Sequence, residues 1–353
     1  MNDGARPLLL DLELADLPCE AGRAYRRDQL AGWVYARGAH AFDDMTDLPK
    51  RWREELEGSW RLDPFDEVQR YPSWDDSVRY LFVLPDGRRT EAVYMPYEHR
   101  KTVCVSSMVG CPAGCTFCAT GALGFGRNLS RGEIVGQLLA VAWHEGIAPS
   151  EIRNVVLMGM GEALLNYDEA IAAVRRMIEP GALDMSPRRI TLSTVGLPKR
   201  IERLAEEGLQ LTLAVSLHAP DEATRREIIP TAHAHSIDDI VRSLHVWQER
   251  TGRRVTIEYT MLAGVNDALW QADELARLLR GLSSHVNLIP FNDWSGAGMR
   301  GTSRDGIEAF RARLEARGAS VSVRFSRGQD TGGACGQLSL QESDVPRPSG
   351  SSA

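Results

Sequence analysis

Residues 101–128 read KTVCVSSMVGCPAGCTFCATGALGFGRN, and they carry the most informative motif of the chain. It opens with the apolar run TVCVSS, which is typical of a buried strand. Cys111, Cys115 and Cys118 follow with the spacing C-x3-C-x2-C, and a helical pattern begins near Ser130. The sequence therefore predicts three thiols on one loop between a strand and a helix.

Downstream of this loop, strand-like apolar runs alternate with amphipathic, helix-like segments. The alternation predicts parallel strands joined by helical crossovers, in either a barrel or an open doubly wound sheet. Periodicity does not separate these two architectures, but both bind ligands at the carboxyl ends of their strands. We predict strands at 102–107, 154–160, 189–193, 211–217, 255–261, 286–290 and 321–325, and helices at 131–146, 168–179, 198–208, 236–250, 269–282 and 304–317.

Upstream, helical patterns cover the first 62 residues, and one of them places Leu30, Trp33 and Val34 on a single face. Two short apolar runs within 78–94 flank the turn signal Pro-Asp-Gly, which predicts a β-hairpin. The last residues are polar and rich in Pro and Ser, so we expect them to be disordered. The predicted divisions are a helical accessory domain at 1–62, a β-hairpin linker at 63–100, a core at 101–340 and a tail at 341–353.

Composition excludes several classes of protein. The 353 residues include 41 Lys and Arg against 48 Asp and Glu, so the formal net charge is −7. This balance argues against a protein that coats nucleic acid non-specifically, although a local basic patch would still allow specific RNA recognition. No apolar run reaches the ~18 residues of a membrane helix, and the N-terminus does not resemble a signal peptide, so we expect a cytoplasmic protein.

The cysteine triple predicts a metal site. Six cysteines in 353 residues are too few for a disulfide scaffold, and four of them lie between 104 and 118. Thiolate ligands favour zinc or an iron–sulfur cluster. In a structural zinc site four protein ligands fill the coordination sphere, and Cys104 would be the fourth ligand here. If only the three cysteines bind, one metal position is left open for a substrate or cofactor.

With Phe117 before its last cysteine, the C-x3-C-x2-C motif resembles that of the radical S-adenosylmethionine (SAM) superfamily. The motifs GMGEALLN, TLSTVG, AVSLHAP, NLIPFN and ACGQL follow in the order typical of the RlmN/Cfr adenosine methyltransferases, and the match runs over 88–338. The segment DQLAGWVYARG also resembles the N-terminal domain of RlmN proteins. The resemblance implies an α/β fold, a partial (β/α)6 radical SAM barrel with a small N-terminal helical accessory domain.

The same resemblance implies the cofactors and the residues that bind them. Cys111, Cys115 and Cys118 would hold a [4Fe-4S] cluster whose fourth iron binds SAM. One-electron reduction by a donor such as flavodoxin or ferredoxin would cleave SAM to a 5′-deoxyadenosyl radical, and each turnover would use two SAM molecules. The residues that match the family's SAM-binding positions all follow predicted strands; they are Gly161, Glu162, Ser193, Ser216, Leu217, His218 and Asn292.

Three further positions match the family's catalytic residues. Cys335 matches the cysteine that carries the methyl group, Cys104 the cysteine that forms a disulfide with it, and Glu91 the proton acceptor. The implied reaction is methylation of C2 of adenosine 2503 in 23S ribosomal RNA by a monomeric enzyme, with adenosine 37 of some transfer RNAs as a further target. Two alternatives stay open: Cfr-type methylation of C8, and a non-catalytic metal or iron–sulfur protein that binds RNA.

The sequence departs from the family at Ala163, where Pro is usual, and at Met108, where Gln is common. Cys19 matches no family role, so we expect it to be structural. The acidic chain needs local cations to bind RNA phosphates. The candidates near the predicted site are Arg88, Arg89, Arg127 and Arg131.

Overall fold

The computed structural model describes residues 6–20, 23–294 and 296–339, so the expected disordered tail at 341–353 lies outside the described residues. The strands are β1 Glu67–Pro72, β2 Val78–Val83, β3 Arg89–Tyr97, β4 Arg100–Cys104, β5 Met108–Gly110, β6 Phe125–Asn128, β7 Ile152–Leu157, β8 Ile190–Thr194, β9 Thr212–Ser216, β10 Val255–Met261, β11 Ser284–Pro290 and β12 Val321–Val323. The helices are α1 Tyr25–Ala31, α2 Lys50–Ser59, α3 Ala119–Ala122, α4 Arg131–His144, α5 Tyr167–Ile178, α6 Pro198–Glu206, α7 Glu222–Ile228, α8 Ile237–Thr251, α9 Leu269–Leu278 and α10 Arg304–Ala316.

A ten-stranded sheet in the order β1-β2-β3-β4-β7-β8-β9-β10-β11-β12 organises the molecule. The first three pairings are antiparallel, and every pairing from β4 to β12 is parallel. Within the described residues β1 and β12 do not pair, so the sheet does not close. The predicted α/β fold, a partial barrel, is confirmed, with a three-stranded antiparallel extension on one side.

The predicted parallel strands and their crossover helices are confirmed, with ends that differ by a few residues. The predicted hairpin is also correct, because β2 and β3 pair antiparallel around the Pro-Asp-Gly turn. The sequence analysis missed β1, the short helix α7, and the two-stranded sheet of β5 and β6. That small sheet encloses the cysteine loop, because β5 ends just before Cys111 and β6 begins after Cys118.

Helix α4 shows why the N-terminal segment packs where it does. Its start is capped at Ser130, whose hydroxyl accepts a hydrogen bond from the Glu133 N–H at 3.2 Å. A Cβ atom on Gly132 would lie 2.6 Å from Leu8, and one on Gly136 would lie 2.4 Å from Pro64. The two glycines therefore allow the N-terminal segment to lie directly on this helix, which is why α4 is buried along almost its whole length.

Among the described residues, no helix combines the length and apolar character that crossing a membrane requires.

The carboxyl ends of β9 and β10 are tied together by Asn266, which is completely buried. Its side-chain N–H groups donate to the carbonyls of His218 and Thr260 at 2.7 and 2.6 Å, and its Oδ1 accepts from the Leu262 N–H at 2.7 Å. One amide thus satisfies three backbone groups that water does not reach.

We expect Asn266→Ala to lower the free energy of unfolding by about 2–3 kcal/mol, because it leaves buried backbone groups without partners. Urea denaturation monitored by circular dichroism measures the change. Asn128→Ala is the control, since Asn128 is exposed and should change stability by less than about 0.5 kcal/mol. Equal stability of the two variants would contradict this role of Asn266.

Candidate active site

One cavity opens at the carboxyl ends of the parallel strands. Its empty space is about 1390 Å³ when the open mouth is included. Of the residues predicted from the sequence, all but Leu217 and Glu91 line it; they are Cys104, Cys111, Cys115, Cys118, Gly161, Glu162, Ser193, Ser216, His218, Asn292 and Cys335. The fold therefore brings residues from most of the chain to one place.

The cysteine triple surrounds one end of this cavity. Burial raises the pKa of Cys111 to about 12 and also raises the pKa of Cys115 and Cys118, and the neighbouring thiols reinforce the shift at Cys111 and Cys115. Thiols that bind a metal must lose their protons, so a metal has to compensate this burial. Three buried thiols around one space form a donor set that suits a thiolate-ligated cluster.

The spacing of these side chains bears on the kind of metal. In the part of the chain that the structure describes, no three His, Cys, Asp or Glu side chains are close enough together to hold a single ion. A zinc ion needs all its ligands within about 2.3 Å of one point, whereas the cysteines of an iron–sulfur cluster bind different irons. The three cysteines of the triple could therefore hold a cluster without meeting at one point.

Glu162 lies beside the cysteines on the turn that follows β7. Its carboxylate accepts hydrogen bonds from the N–H groups of Leu164 at 3.0 Å and Val195 at 2.7 Å. Burial nevertheless raises the pKa of Glu162 to about 7. The preceding Gly161 has a φ of 105°, and a Cβ atom there would lie 2.7 Å from Met108, so only glycine fits this turn.

His218 follows β9 and has a positive φ of 58°, which aims its ring into the cavity wall. Its Nδ1 accepts a hydrogen bond from the Thr260 N–H at 3.0 Å. Burial lowers the pKa of His218 to about 3, so the ring is neutral and carries its proton on Nε2. Leu217 is buried behind the wall and shapes the cavity without lining it.

Asn292 holds the loop that carries Cys335. Its Nδ2 donates to the Cys335 carbonyl at 3.0 Å and to the Ser326 hydroxyl at 2.9 Å. Its Oδ1 accepts from Gln329 at 3.0 Å. The structure therefore shows Asn292 as a support of this loop, in addition to its position on the cavity wall.

The Cys335 loop lies against the cysteine triple. The Ala119 N–H donates to the Gly336 carbonyl at 2.7 Å, directly after the last cysteine of the triple. Cys335 and Cys104 both line the cavity as free thiols. Burial raises the pKa of Cys104 to about 12, with a further contribution from nearby Cys335. Cys335 is exposed as a residue, but desolvation of its thiol in the cavity raises its pKa to about 11.

Glu91 is fully buried on β3 and forms an ion pair with buried Arg79. It does not line the cavity, although Val93 and Met95 do. Alternate residues of a strand face the same side, so Glu91 points toward the same side as these two residues.

Two cavity residues escaped the sequence analysis. Glu258 on β10 is buried and places one carboxylate oxygen 4.0 Å from Arg324. Arg324 in turn lies near Cys104 and Cys335, since its charge opposes the rise of both thiol pKa values. The sequence does contain a signal for Glu258, since it is an acidic residue inside the apolar run VTIEYTM. A charge buried in such a strand needs a partner, which points to a functional or paired residue.

One expectation about contacts to RNA phosphates is wrong. Arg131 is buried and pairs with Glu13 in the N-terminal segment, so it is not free to contact phosphate. Arg127 pairs with both Asp86 and Glu133. Cys19 is exposed and does not line the cavity, and its structural role stays a prediction.

Comparison with known proteins agrees with this geometry. Residues 105–277 match the model of the radical SAM superfamily, and residues 12–61 match that of the ribosomal RNA large subunit methyltransferase N-terminal domain. The chain is similar to a probable dual-specificity RNA methyltransferase RlmN of Thermus thermophilus, with 61% identity over 96% of this chain and 94% of the relative. A protein of the same description from Deinococcus deserti is 58% identical over 94% of this chain and 96% of its own length.

A solved structure is similar over the same length. The radical SAM methyltransferase from Sphaerobacter thermophilus matches with a TM-score of 0.90 and 42% identity, over 95% of this chain and 100% of that one. Both parts of the chain, the helical N-terminal segment and the radical SAM core, therefore have counterparts in one group of enzymes. The chain belongs to the RlmN family of radical SAM RNA methyltransferases.

Proposed function

We propose that this RNA methyltransferase transfers a methyl group to C2 of adenosine 2503 in 23S ribosomal RNA, and to adenosine 37 of some transfer RNAs, through a methyl-cysteine. The observation that carries the proposal is the shared cavity of Cys335, Cys104 and the cysteine triple. C2 of adenine is an electrophilic aromatic carbon, so ordinary methyl transfer from SAM does not reach it. A carrier cysteine beside a radical source solves this problem by splitting one difficult step into easier ones.

As a member of the radical SAM superfamily, the chain uses a [4Fe-4S] cluster and SAM. We propose Cys111, Cys115 and Cys118 as the cluster ligands, and Gly161, Glu162, Ser193, Ser216, Leu217, His218 and Asn292 as the SAM site. When bound, the two cofactors supply one-electron reduction and the radical that removes hydrogen from a methyl group. The carboxylate of Glu162 beside the cysteines suits the ammonium group of SAM.

The remaining steps are assigned to side chains of this protein. Cys335 would carry the methyl group, so that its sulfur becomes linked through one carbon to C2 of the base. Glu91 would accept the proton that leaves C2. The base radical formed by the addition would return one electron to the oxidised cofactor as C2 loses its proton. Cys104, once deprotonated, would then attack the Cys335 sulfur; the electrons of the broken sulfur–carbon bond stay on that carbon, which takes up a proton to become the methyl group, and a disulfide is left between the two cysteines. The proximity of the two thiols, seen in the contribution of Cys335 to the raised pKa of Cys104, supports this assignment.

The reaction would take place in the cytoplasm. A reducing cytoplasm keeps thiols such as Cys104 and Cys335 free between turnovers and contains the RNA substrates. A small electron carrier such as flavodoxin or ferredoxin would supply electrons, and a monomer would suffice because one chain lines the whole cavity. The N-terminal match to the RlmN-type domain favours C2 over the Cfr-type C8 product.

The product of the reaction tests the site of methylation. RNA treated with the reconstituted enzyme, SAM and a reductant is digested to nucleosides and analysed by mass spectrometry against standards. We expect 2-methyladenosine. Formation of 8-methyladenosine would reject C2 as the target, and an unmodified RNA would favour the non-catalytic alternative.

Cys335→Ala should abolish RNA methylation, because the methyl group has no carrier, while the cluster and SAM cleavage persist. Iron content, release of 5′-deoxyadenosine and incorporation of labelled methyl into RNA measure the three properties separately. Cys19→Ala is the matched control, since Cys19 is an exposed free thiol outside the cavity. Methylation at the wild-type rate by Cys335→Ala would refute the carrier role.

Cys104→Ala should stall the reaction after the base has become attached to Cys335, because nothing then displaces the product. A denaturing gel with labelled RNA would show a covalent complex that the wild type does not accumulate. The adduct should vanish in the double variant Cys104→Ala with Cys335→Ala. Normal product yield without an adduct would show that Cys104 is not needed for release.

Gly121→Ala tests the cysteine loop itself. A Cβ atom at Gly121 would lie 2.7 Å from the carbonyl oxygen and 2.9 Å from the nitrogen of Cys115, so the loop must shift. We expect iron and sulfide binding after anaerobic reconstitution to fall several-fold while circular dichroism stays native. Gly58→Ala is the control because its Cβ meets open space on α2; equal iron content in both variants would contradict this expectation.

A further inference from the structure

Arg225 on α7 is buried in an unusual way. It is only 1% exposed, and its single hydrogen-bond acceptor is the carbonyl of Val195. Its Nε and Nη1 atoms are buried and have no partner among the described residues. Leaving a buried cation without an anion costs several kcal/mol, so the bound form of the protein should supply a compensating charge.

Three other buried arginines each have a carboxylate partner, which Arg225 lacks among the described residues. Arg79 pairs with Glu91, Arg131 with Glu13, and Arg176 with Glu179 at 2.9 Å. For Arg225, the described residues place no carboxylate within 4 Å. Of these four guanidinium groups, it is the one whose charge the folded chain leaves unbalanced.

Glu222, on the same helix, is the acidic group whose charge is felt at Arg225. Its Oε1 accepts the Ile237 N–H at 2.6 Å, and its Oε2 lies 3.4 Å from Arg226. These contacts direct the carboxylate to the start of α8 and to a different arginine. Glu222 is therefore not the partner of Arg225.

The surroundings of Arg225 point to the cavity. It lies behind a wall formed by Cys115, Val195 and His218, because it hydrogen bonds to Val195 and its charge acts on the other two. Helix α7 also seats the cysteine loop, since the Thr116 N–H donates to the Ile228 carbonyl at 3.0 Å. His218 is neutral, so Arg225 supplies the positive charge that acts on Cys115 from behind this wall.

We propose that Arg225 is a positioning residue whose guanidinium balances, from behind Cys115, the negative charge of the iron–sulfur cluster. The inference rests on the proposed ligation of the cluster by the three cysteines. It explains the orphaned cation, because Cys115 is neutral as a thiol and anionic as a ligand. A fixed buried cation also stabilises the reduced cluster, which carries one more negative charge than the oxidised cluster.

Removing this charge should make the cluster harder to reduce. A unit charge about 10 Å away, at an effective dielectric constant of about 20, changes a one-electron equilibrium by roughly tenfold. Tenfold corresponds to about 59 mV for one electron. We therefore expect the midpoint potential of Arg225→Gln to be more negative than that of the wild type by a shift of this order.

The test is a redox titration of the anaerobically reconstituted full chain, monitored by electron paramagnetic resonance without SAM. Arg225→Gln removes the charge and keeps hydrogen-bonding groups, whereas Arg225→Lys keeps the charge and should restore most of the potential. Arg176→Gln is the matched control, because it disturbs a buried arginine elsewhere and should lower stability without changing the potential. If Arg225 had a purely structural role, the Arg225→Lys and Arg225→Gln variants would have the same midpoint potential.

The outcomes separate this inference from the proposed function. Equal shifts in the Gln and Lys variants, or no shift in either, would overturn it. An unchanged potential with weaker SAM binding in Arg225→Gln would assign the guanidinium to the carboxylate of SAM and would also overturn it. If the wild type does not methylate RNA but the midpoint potentials of Arg225→Lys and Arg225→Gln still differ, the proposed reaction is refuted and the role of Arg225 is supported. If the wild type binds no cluster, both proposals are refuted.

Discussion

The Thr120 hydroxyl donates a hydrogen bond of 2.7 Å to the Leu338 carbonyl, across 218 residues of sequence. Together with the bond from Ala119 to Gly336, it fastens the C-terminal loop to the segment that follows the cysteine triple. This attachment and the hydrogen bond from Asn292 hold Cys335 at the cavity, because β12, the last strand of the sheet, ends well before it. The proposed carrier chemistry therefore depends on these contacts between two loops.

The sheet makes this attachment possible. Cys104 ends β4, and the parallel strands that follow bring the ends of β7 to β11 to the same edge. Helices and strands are rigid, so the positions of the side chains at that edge are set by the backbone register. The loops add the reactive groups, and the buried contacts of Asn266 and Asn292 keep those loops in place.

Much of this architecture could be predicted from the sequence, because the parallel strands are continuous apolar runs and Ser130 caps the helix after the cysteines. Strand β1 was missed because its residues are polar and largely accessible, and α7 because it spans only two turns. Arg131 was predicted to contact phosphate, because the residues next to it in the sequence do not indicate that the N-terminal segment covers it. Sequence periodicity predicts helices and strands, whereas the contacts between distant segments depend on tertiary packing.

Asn292 shows how the structure narrows a role that the sequence left broad. An amide of this kind offers two donor hydrogens and two acceptor lone pairs. Both hydrogens are used on Cys335 and Ser326, and one lone pair accepts from Gln329. One acceptor position remains, so a ligand held by Asn292 with the loop in place must present a donor. A hydroxyl or an ammonium group meets this requirement and a carboxylate does not, so the Cys335 loop in this conformation leaves Asn292 free to bind a donor group of a ligand but not its carboxylate.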